Sequence, residues 1–308
     1  MAESHQIAVI GAGLMGYGIA LNFARAGHGV AITDPSEGTL SSVPDRIRDS
    51  LEALGADDDG IAEALNRIAL CDALPDAVKN AAFVFEAAPE KLPLKQAIFS
   101  DIEAHAPRDA VLASNTSVIP ITKIMEGLDC RGRALGTHWW NPPHMIPLVE
   151  VIKTAWTDGD VANAMMDLLG QVGKEPVMVK KDVPGFIGNR LQHALWREAI
   201  SLVENGVCDA EAVDTVIKSS FGRRLAVLGP LENADLVGTD LTLDIHENVL
   251  FDLESRKGPS PYLKQLVADE RLGMKAGQGF RTWTTEEATA VRERVSRYLT
   301  RLDDILQD

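Results

Sequence analysis

Cysteine is scarce in this 308-residue sequence: Cys71, Cys130 and Cys208 lie far apart, with no CxxC pair among them. Three scattered thiols argue against a disulfide framework and a thiolate zinc site, and they suit a reducing compartment. Basic residues are also in short supply, with 30 Lys+Arg against 45 Asp+Glu and a net charge of −15. That balance opposes nonspecific attraction to nucleic acid or to an anionic membrane surface, so neither is expected as a partner. An anionic ligand would need a local basic anchor. Nowhere do eighteen apolar residues run together, and no basic segment precedes an apolar stretch at the start. A cytoplasmic protein without a metal is the expectation. Neither an internal repeat nor a low-complexity tract is visible. What is present, 45% hydrophobic and 24% charged residues, is enough for one large globular domain or two medium ones.

The first stretch reads as strand, glycine turn and helix. Gln6 to Ile10 is a short apolar run, Gly11-Ala12-Gly13-Leu14-Met15-Gly16 follows, and Ile19, Ala20, Leu21, Phe23 and Ala24 recur at helical spacing. In such a turn the first glycine permits the tight bend, the second lets backbone amides approach a pyrophosphate, and the third lets helix and strand pack closely. The helix N-terminus then faces the phosphate charge. Asp34 ends the next strand, Gly29 to Thr33, 18 residues past Gly16. A carboxylate there suits a ribose hydroxyl pair and repels a 2′-phosphate, so NAD is favoured over NADP. Alternatively, Asp34 caps the next helix.

Residues 36 to 80 read as two polar helices broken at Asp57-Asp58-Asp59-Gly60, with ten acidic and four basic residues and a strand at Ile68 to Cys71. A solvated face is the plain reading. Phe83 to Ala87, Ala110 to Ala113, Gly136 to His138, Leu148 to Ile152 and Pro176 to Val179 read as strands. Helices are expected from about Pro93, near Ile121 to Met125, and over 159 to 172. After Asp182-Val183-Pro184-Gly185, helical periodicity takes over. Ile187, Leu191, Leu195, Ala199 and Val203 form an i+4 stripe, and further helices fall around 209 to 219, 231 to 252, 261 to 270 and 285 to 306.

Chemistry concentrates between residues 114 and 152, where a hydroxyl, an imidazole and a carboxylate stand at Ser117, His138 and Glu150. An imidazole takes a proton near neutral pH, a carboxylate orients it, and a serine hydrogen-bonds a substrate oxygen. Each has a plain structural alternative: Ser117 as a helix cap, His138 as a hydrogen-bonded strand residue, Glu150 as an exposed one.

Together the dinucleotide turn, Glu90 and Lys95, the Ser114-Asn115-Thr116-Ser117 segment, His138-x-x-Asn141-Pro142 with Glu150, and Pro184-Gly185-Phe186-Ile187-Gly188-Asn189-Arg190 resemble the 3-hydroxyacyl-CoA dehydrogenase family. The similarity runs from about residue 6 to 283, and the spacings of 21 residues from Ser117 to His138 and 12 from His138 to Glu150 match the family pattern. The resemblance implies an α/β fold: a Rossmann-type NAD-binding domain over residues 1–183, then an all-helical substrate and dimerisation domain over 184–308. It implies a homodimer with the active site in the cleft between domains. It also implies catalytic roles for His138, Glu150, Ser117 and Asn189, and cofactor contacts from Gly11, Gly13, Leu14, Met15, Gly16, Asp34, Glu90, Lys95, Asn115 and Asn141. Asn189 could instead cap a helix or bridge the domains.

Two departures from the thioester-specific members stand out. The lysine-rich excursion those members usually carry after the second strand is here short and acidic, which would repel coenzyme A. Arg223-Arg224 also occupies a stretch where they commonly have a glycine-tyrosine-proline run. Lambda-crystallin-like members and those acting on free hydroxy acids or pyridine carboxylates show a basic residue matching Arg224 and a proline pair like Pro142-Pro143. The expected substrate is therefore a small hydroxy compound with a free carboxylate gripped by Arg224, whose other reading is a helix-terminal charge or an interdomain salt bridge. Trp139, Trp140 and His144 either shape the substrate pocket or pack structurally. A short-chain L-3-hydroxyacyl-CoA dehydrogenase is the alternative enzyme, and a crystallin-like NADH-binding structural protein the alternative outside enzymes.

Overall fold

The computed structural model describes residues 4–306. Eight strands form a single sheet: β1 (Gln6–Ile10), β2 (Gly29–Thr33), β3 (Ile68–Leu70), β4 (Phe83–Glu86), β5 (Val111–Ser114), β6 (Ala134–Trp139), β7 (Leu148–Ile152) and β8 (Glu175–Val179). Their spatial order is β3-β2-β1-β4-β5-β6-β7-β8, parallel except where β6 meets β7 antiparallel. The order reverses between β1 and β4, and ligands of open parallel sheets bind beyond the strand ends at such a switch.

Helices α1 (Leu14–Arg25), α2 (Glu37–Ser41), α3 (Val43–Ala53), α4 (Asp58–Asn66), α5 (Leu74–Val78), α6 (Leu92–His105), α7 (Ile121–Met125) and α8 (Gly159–Gln171) accompany the sheet. Both sheet faces are buried, which is why the central strands read as unbroken apolar runs rather than alternating ones. Along β1, Ile7 and Val9 join Phe23, Phe85 and Trp139 in one core cluster, while Ala8 and Ile10 join Phe99, Ile102 and Leu112 in the other. Strand alternation thus divides the core into two layers.

Compact packing divides the chain at Met1–Arg190 and Leu191–Asp308, seven residues beyond the expected boundary at 183. The reason is the Asp182–Arg190 segment. Phe186 is 1% exposed within the second core layer, and Asp182 accepts a 2.7 Å hydrogen bond from the Thr122 amide. The second unit holds α9 (Gly188–Glu204), which starts just before the division, then α10 (Ala210–Ser219), α11 (Pro230–Val237), α12 (Thr239–Val249), α13 (Pro261–Ala268) and α14 (Thr285–Leu306).

Two expected helix boundaries move. The break expected at Asp57-Asp58-Asp59-Gly60 falls just earlier, over 54–57, and the tetrad opens the next helix: the Asp57 carboxylate accepts the Gly60 amide at 2.9 Å, and two further acids sit in the favourable first turn of α4. Four helices therefore replace the two polar helices expected over 36–80. The single helix expected over 231–252 splits at Gly238, whose φ of 103° no L-residue adopts readily.

At the start of β1 a buried histidine ties the first strand to the second. His28 is 3% exposed, its Nδ1 accepts the His5 amide at 3.1 Å, and its ring stacks on His5 and meets Phe23 edge-on. Burial, and then the neighbouring His5, lower its pKa below the ordinary imidazole value. With the folded value depressed, the contribution is complete above about pH 6.5 and is lost as pH falls, because the unfolded chain takes up a proton that the folded one resists. Melting temperature is therefore expected to drop between pH 7 and pH 5, with a shallower slope in His28→Phe. Equal slopes in the two proteins would show that His28 carries none of the dependence.

Candidate active site

The glycine turn lies at the switch point. Gly11, at φ 101°, sits against the Ala87–Ala88 backbone, and a Cβ on Gly16 would stand 1.7 Å from the Gly11 carbonyl oxygen, so α1 crosses β1 at a separation only glycine allows. A Cβ on Gly13, by contrast, would meet nothing within 4 Å. Gly13 is the N-cap of α1 and supplies no side-chain cap, which leaves the first amides of the helix, at Leu14 and Met15, facing outward. Asp34 stands beside this turn: Oδ2 accepts the Ala12 amide at 2.8 Å and Oδ1 the Ser36 amide at 2.9 Å. Arg46 of α3, which sequence reading left in the solvated acidic face, turns inward. Its Nη1 donates to the Ala12 carbonyl at 2.8 Å while its guanidinium stacks 3.9 Å over the Tyr17 ring.

Beyond β4 and β5 the two residues expected to contact cofactor part company. Lys95 has no exposed side-chain surface; its Nζ pairs with Glu86 at 2.7 Å and lies 3.6 Å from Glu90. Its ammonium is thus held in an internal ion pair beside the residues expected to contact the cofactor. Glu90 is half-exposed, and its Oε1 accepts Thr116 Oγ1 at 2.5 Å and the amides of Ser117 and Val118 at 3.0 and 3.1 Å. Burial alone would raise the Glu90 pKa, but these donors and the Lys95 charge outweigh it and hold the carboxyl below its ordinary range. Asn115 Oδ1 accepts the Trp139 amide at 3.0 Å and so links β5 to β6.

The antiparallel pairing of β6 with β7 sets His138 directly opposite Glu150. Both are buried, and His138 Nδ1 lies 2.7 Å from Glu150 Oε2. The other oxygen, Oε1, accepts the amides of Ile187 and Gly188 at 2.8 and 3.1 Å, where α9 begins. Burial again opposes ionisation of Glu150, yet the His138 hydrogen bond, the two amides and the His138 charge together lower its pKa. Asn189, next in sequence, donates Nδ2 to the Ser117 carbonyl at 2.9 Å, so one amide proton is already committed. Ser117, His138, Glu150 and Asn189 thereby form one connected group inside the first unit. Ser117 is exposed, and Asn141 is exposed at the start of the turn after β6.

The aromatic candidates separate. Trp139 is 2% exposed and packs edge-on against Phe23 and Phe85, so its pocket reading gives way to a core role. Trp140, on the opposite strand face, lies 5.1 Å from the His138 ring and covers Gly188; Phe186 lies 5.7 Å from the same imidazole. His144 packs 6.2 Å from Tyr17 on the outer side of α1, and Asn22 and Lys174 hold the carbonyl of the preceding Pro143 at 3.0 and 2.7 Å. Burial, then Lys174 and Arg25, lower the His144 pKa. The ring packs beside Tyr17 and Gly18 of α1. Arg224 belongs to the second unit, exposed at the end of a short 3-10 turn, and pairs with no carboxylate among the described residues.

Comparison with known proteins matches residues 6–183 to the 3-hydroxyacyl-CoA dehydrogenase NAD-binding domain and residues 185–283 to the C-terminal domain of the same enzymes. The chain belongs to the 3-hydroxyacyl-CoA dehydrogenase family. It is 35% identical over 310 residues to 5-formyl-3-hydroxy-2-methylpyridine 4-carboxylate 5-dehydrogenase of Mesorhizobium japonicum, covering 98% of both chains. It is 37% identical over 288 residues to the human mitochondrial hydroxyacyl-coenzyme A dehydrogenase, covering 89% of this chain and 90% of that one. A crystal structure of a 5-formyl-3-hydroxy-2-methylpyridine 4-carboxylic acid 5-dehydrogenase, described as an NAD+-dependent dismutase, superposes with a TM-score of 0.91 over 99% of each chain at 34% identity.

Membership makes the chain an NAD-dependent oxidoreductase acting on CH–OH donors, with the Rossmann-type fold and helical second domain that the sequence led us to expect. The turn fits the cofactor on its own terms: open space above Gly13, outward amides at the start of α1, and a carboxylate where the ribose would lie. Glu86 and Arg46 were missed, though Glu86 left a trace, being a lone carboxylate closing the apolar run Phe83-Val84-Phe85. Gly13→Ala is expected to keep the wild-type melting temperature while weakening NADH binding about tenfold or more by filling the cradle, as read by NADH fluorescence. Gly16→Ala is expected to lower the melting temperature as well, because the clash is with backbone.

Proposed function

We propose that this chain oxidises the alcohol of a small carboxylate-bearing hydroxy compound, with His138 as general base oriented by Glu150. The observation that carries the reading is the buried 2.7 Å contact between His138 Nδ1 and Glu150 Oε2. An ionised carboxylate only accepts, so Nδ1 carries the ring proton and Nε2 is left with a lone pair. When the substrate carbon loses hydride, its hydroxyl proton passes to Nε2, and Glu150 stabilises the imidazolium that results. NAD supplies the hydride acceptor. The two amide donors on Oε1 keep the carboxylate from rotating away or taking the proton itself. Ser117 hydrogen-bonds the reacting oxygen and Asn189 is its partner there; run backwards, the same groups reduce a carbonyl. The ring of Trp140 and that of Phe186 keep water from the imidazole, which strengthens its pairing with Glu150.

The free-acid reading is supported by the acidic 36–80 segment, by the carboxylate named in the Mesorhizobium relative, and by an Arg224 guanidinium without an acidic partner among the described residues. The identity to the human hydroxyacyl-coenzyme A enzyme keeps a thioester as the second reading. A homodimer through the second unit is supported by its apolar surface. Among its described residues only Ser201, Leu266, Gly279 and Ala288 are buried, while Leu231, Leu236 and Phe251 are 79%, 73% and 81% exposed. Apolar exposure on that scale marks an association surface.

His138→Gln is expected to lower kcat by about a hundred- to ten-thousandfold while leaving NADH binding unchanged, in keeping with loss of a positioned base. A variant with full turnover would end the assignment. In an NAD-reduction screen, free 3-hydroxy acids and carboxylated pyridine alcohols are expected to outrank 3-hydroxybutyryl-CoA; the reverse ranking would transfer the chain to the thioester enzymes. Arg224→Ala is expected to raise KM for the preferred acid about tenfold or more, and an unchanged KM would remove that arginine from the site.

A further inference from the structure

Glu86 takes no part in proton transfer, yet it is the most heavily bonded carboxylate near the site. It closes β4 with no exposed surface. Oε1 accepts the Ala88 amide and Lys95 Nζ, both at 2.7 Å; Oε2 accepts Lys95 Nζ at 3.0 Å and Ser114 Oγ at 2.6 Å. Lys95 completes its set with the Ala88 carbonyl at 3.1 Å. Its remaining neighbour is Glu90, at 3.6 Å, beyond a hydrogen bond but within strong Coulomb range. Because Glu86 satisfies the ammonium, Glu90 is free to turn Oε1 onto the three donors of residues 116–118.

We propose that Glu86 is a positioning residue: through Lys95 it holds Glu90 in the geometry that clamps the Ser117 loop to the carboxyl edge of the sheet. Two carboxylates share one buried ammonium, and the surplus negative charge is the one that faces the loop amides. Without the Glu86 charge, Lys95 would draw Glu90 into direct contact, since a buried ammonium does not remain half-paired. The amides of Ser117 and Val118 would then lose their acceptor. The effect on turnover rests on the role given to Ser117 above; the effect on the loop does not.

The test is hydrogen exchange over the 115–119 segment in Glu86→Gln, read beside kcat and KM for NAD. Exchange in that segment is expected to accelerate about tenfold or more while β4 and β5 keep their protection, and kcat is expected to fall with little change in KM for NAD. Should Glu86→Gln not fold, the charge-matched pair Glu86→Gln with Lys95→Met, which leaves no ammonium to draw Glu90 away, is expected to keep wild-type exchange over 115–119, and accelerated exchange there would overturn the proposal. Unaltered exchange in folded Glu86→Gln overturns the proposal, whatever happens to kcat. Faster exchange with unaltered kcat upholds the clamp and instead removes Ser117 from the reaction.

Discussion

The hydrogen bond between His138 and Glu150 depends on a single reversal of strand direction. Six strands run one way and two the other: β7 returns antiparallel to β6 and faces His138 with Glu150 at the same rung, and β8 follows parallel to β7. Adjacent residues on paired strands point to the same sheet face, so the two side chains meet with no long reach and little rotamer entropy to lose. The opposite face of the same rung pattern sends Trp139 into the core, where it locks β6 against Phe23 and Phe85. Consecutive residues therefore serve opposite faces, His138 meeting Glu150 and Trp139 anchoring the core.

Buried charge is used sparingly around this pair, and each instance is compensated. Glu150 is met by an imidazole and two backbone amides, Glu86 by an ammonium, an amide and a hydroxyl. Those donors make good the hydrogen bonds each carboxylate gives up on leaving water. The same donors come from separate elements: the start of α9 for Glu150, α6 and β5 for Glu86. Charge compensation and tertiary position are thus one constraint, and residues 187 and 188 of the Asp182–Arg190 segment meet it for Glu150.

Legibility in the sequence followed the range of the interaction. The glycine turn and Asp34 could be read because local backbone demands select their residue types, and the strands because their apolar runs fit a sheet covered on both sides. The 12-residue interval from His138 to Glu150 was visible too, since one turn fixes the register. Harder to see was the buried ion pair of Lys95 with Glu86, made where three elements converge from distant parts of the chain. Trp139 and Trp140 are neighbours in sequence, and only strand alternation separates a core residue from one beside the imidazole. Asp57 misled for a different reason, as acids that resemble a loop also make a good helix cap.

The account comes down to which ring nitrogen of His138 holds the proton. Nitrogen-15 chemical shifts of that imidazole at neutral pH measure this directly. The structure predicts a protonated Nδ1 facing Glu150 and an unprotonated Nε2, with Glu150→Gln disturbing the pattern. A proton resident on Nε2 in the wild-type protein, with Nδ1 bare against the carboxylate, would contradict it.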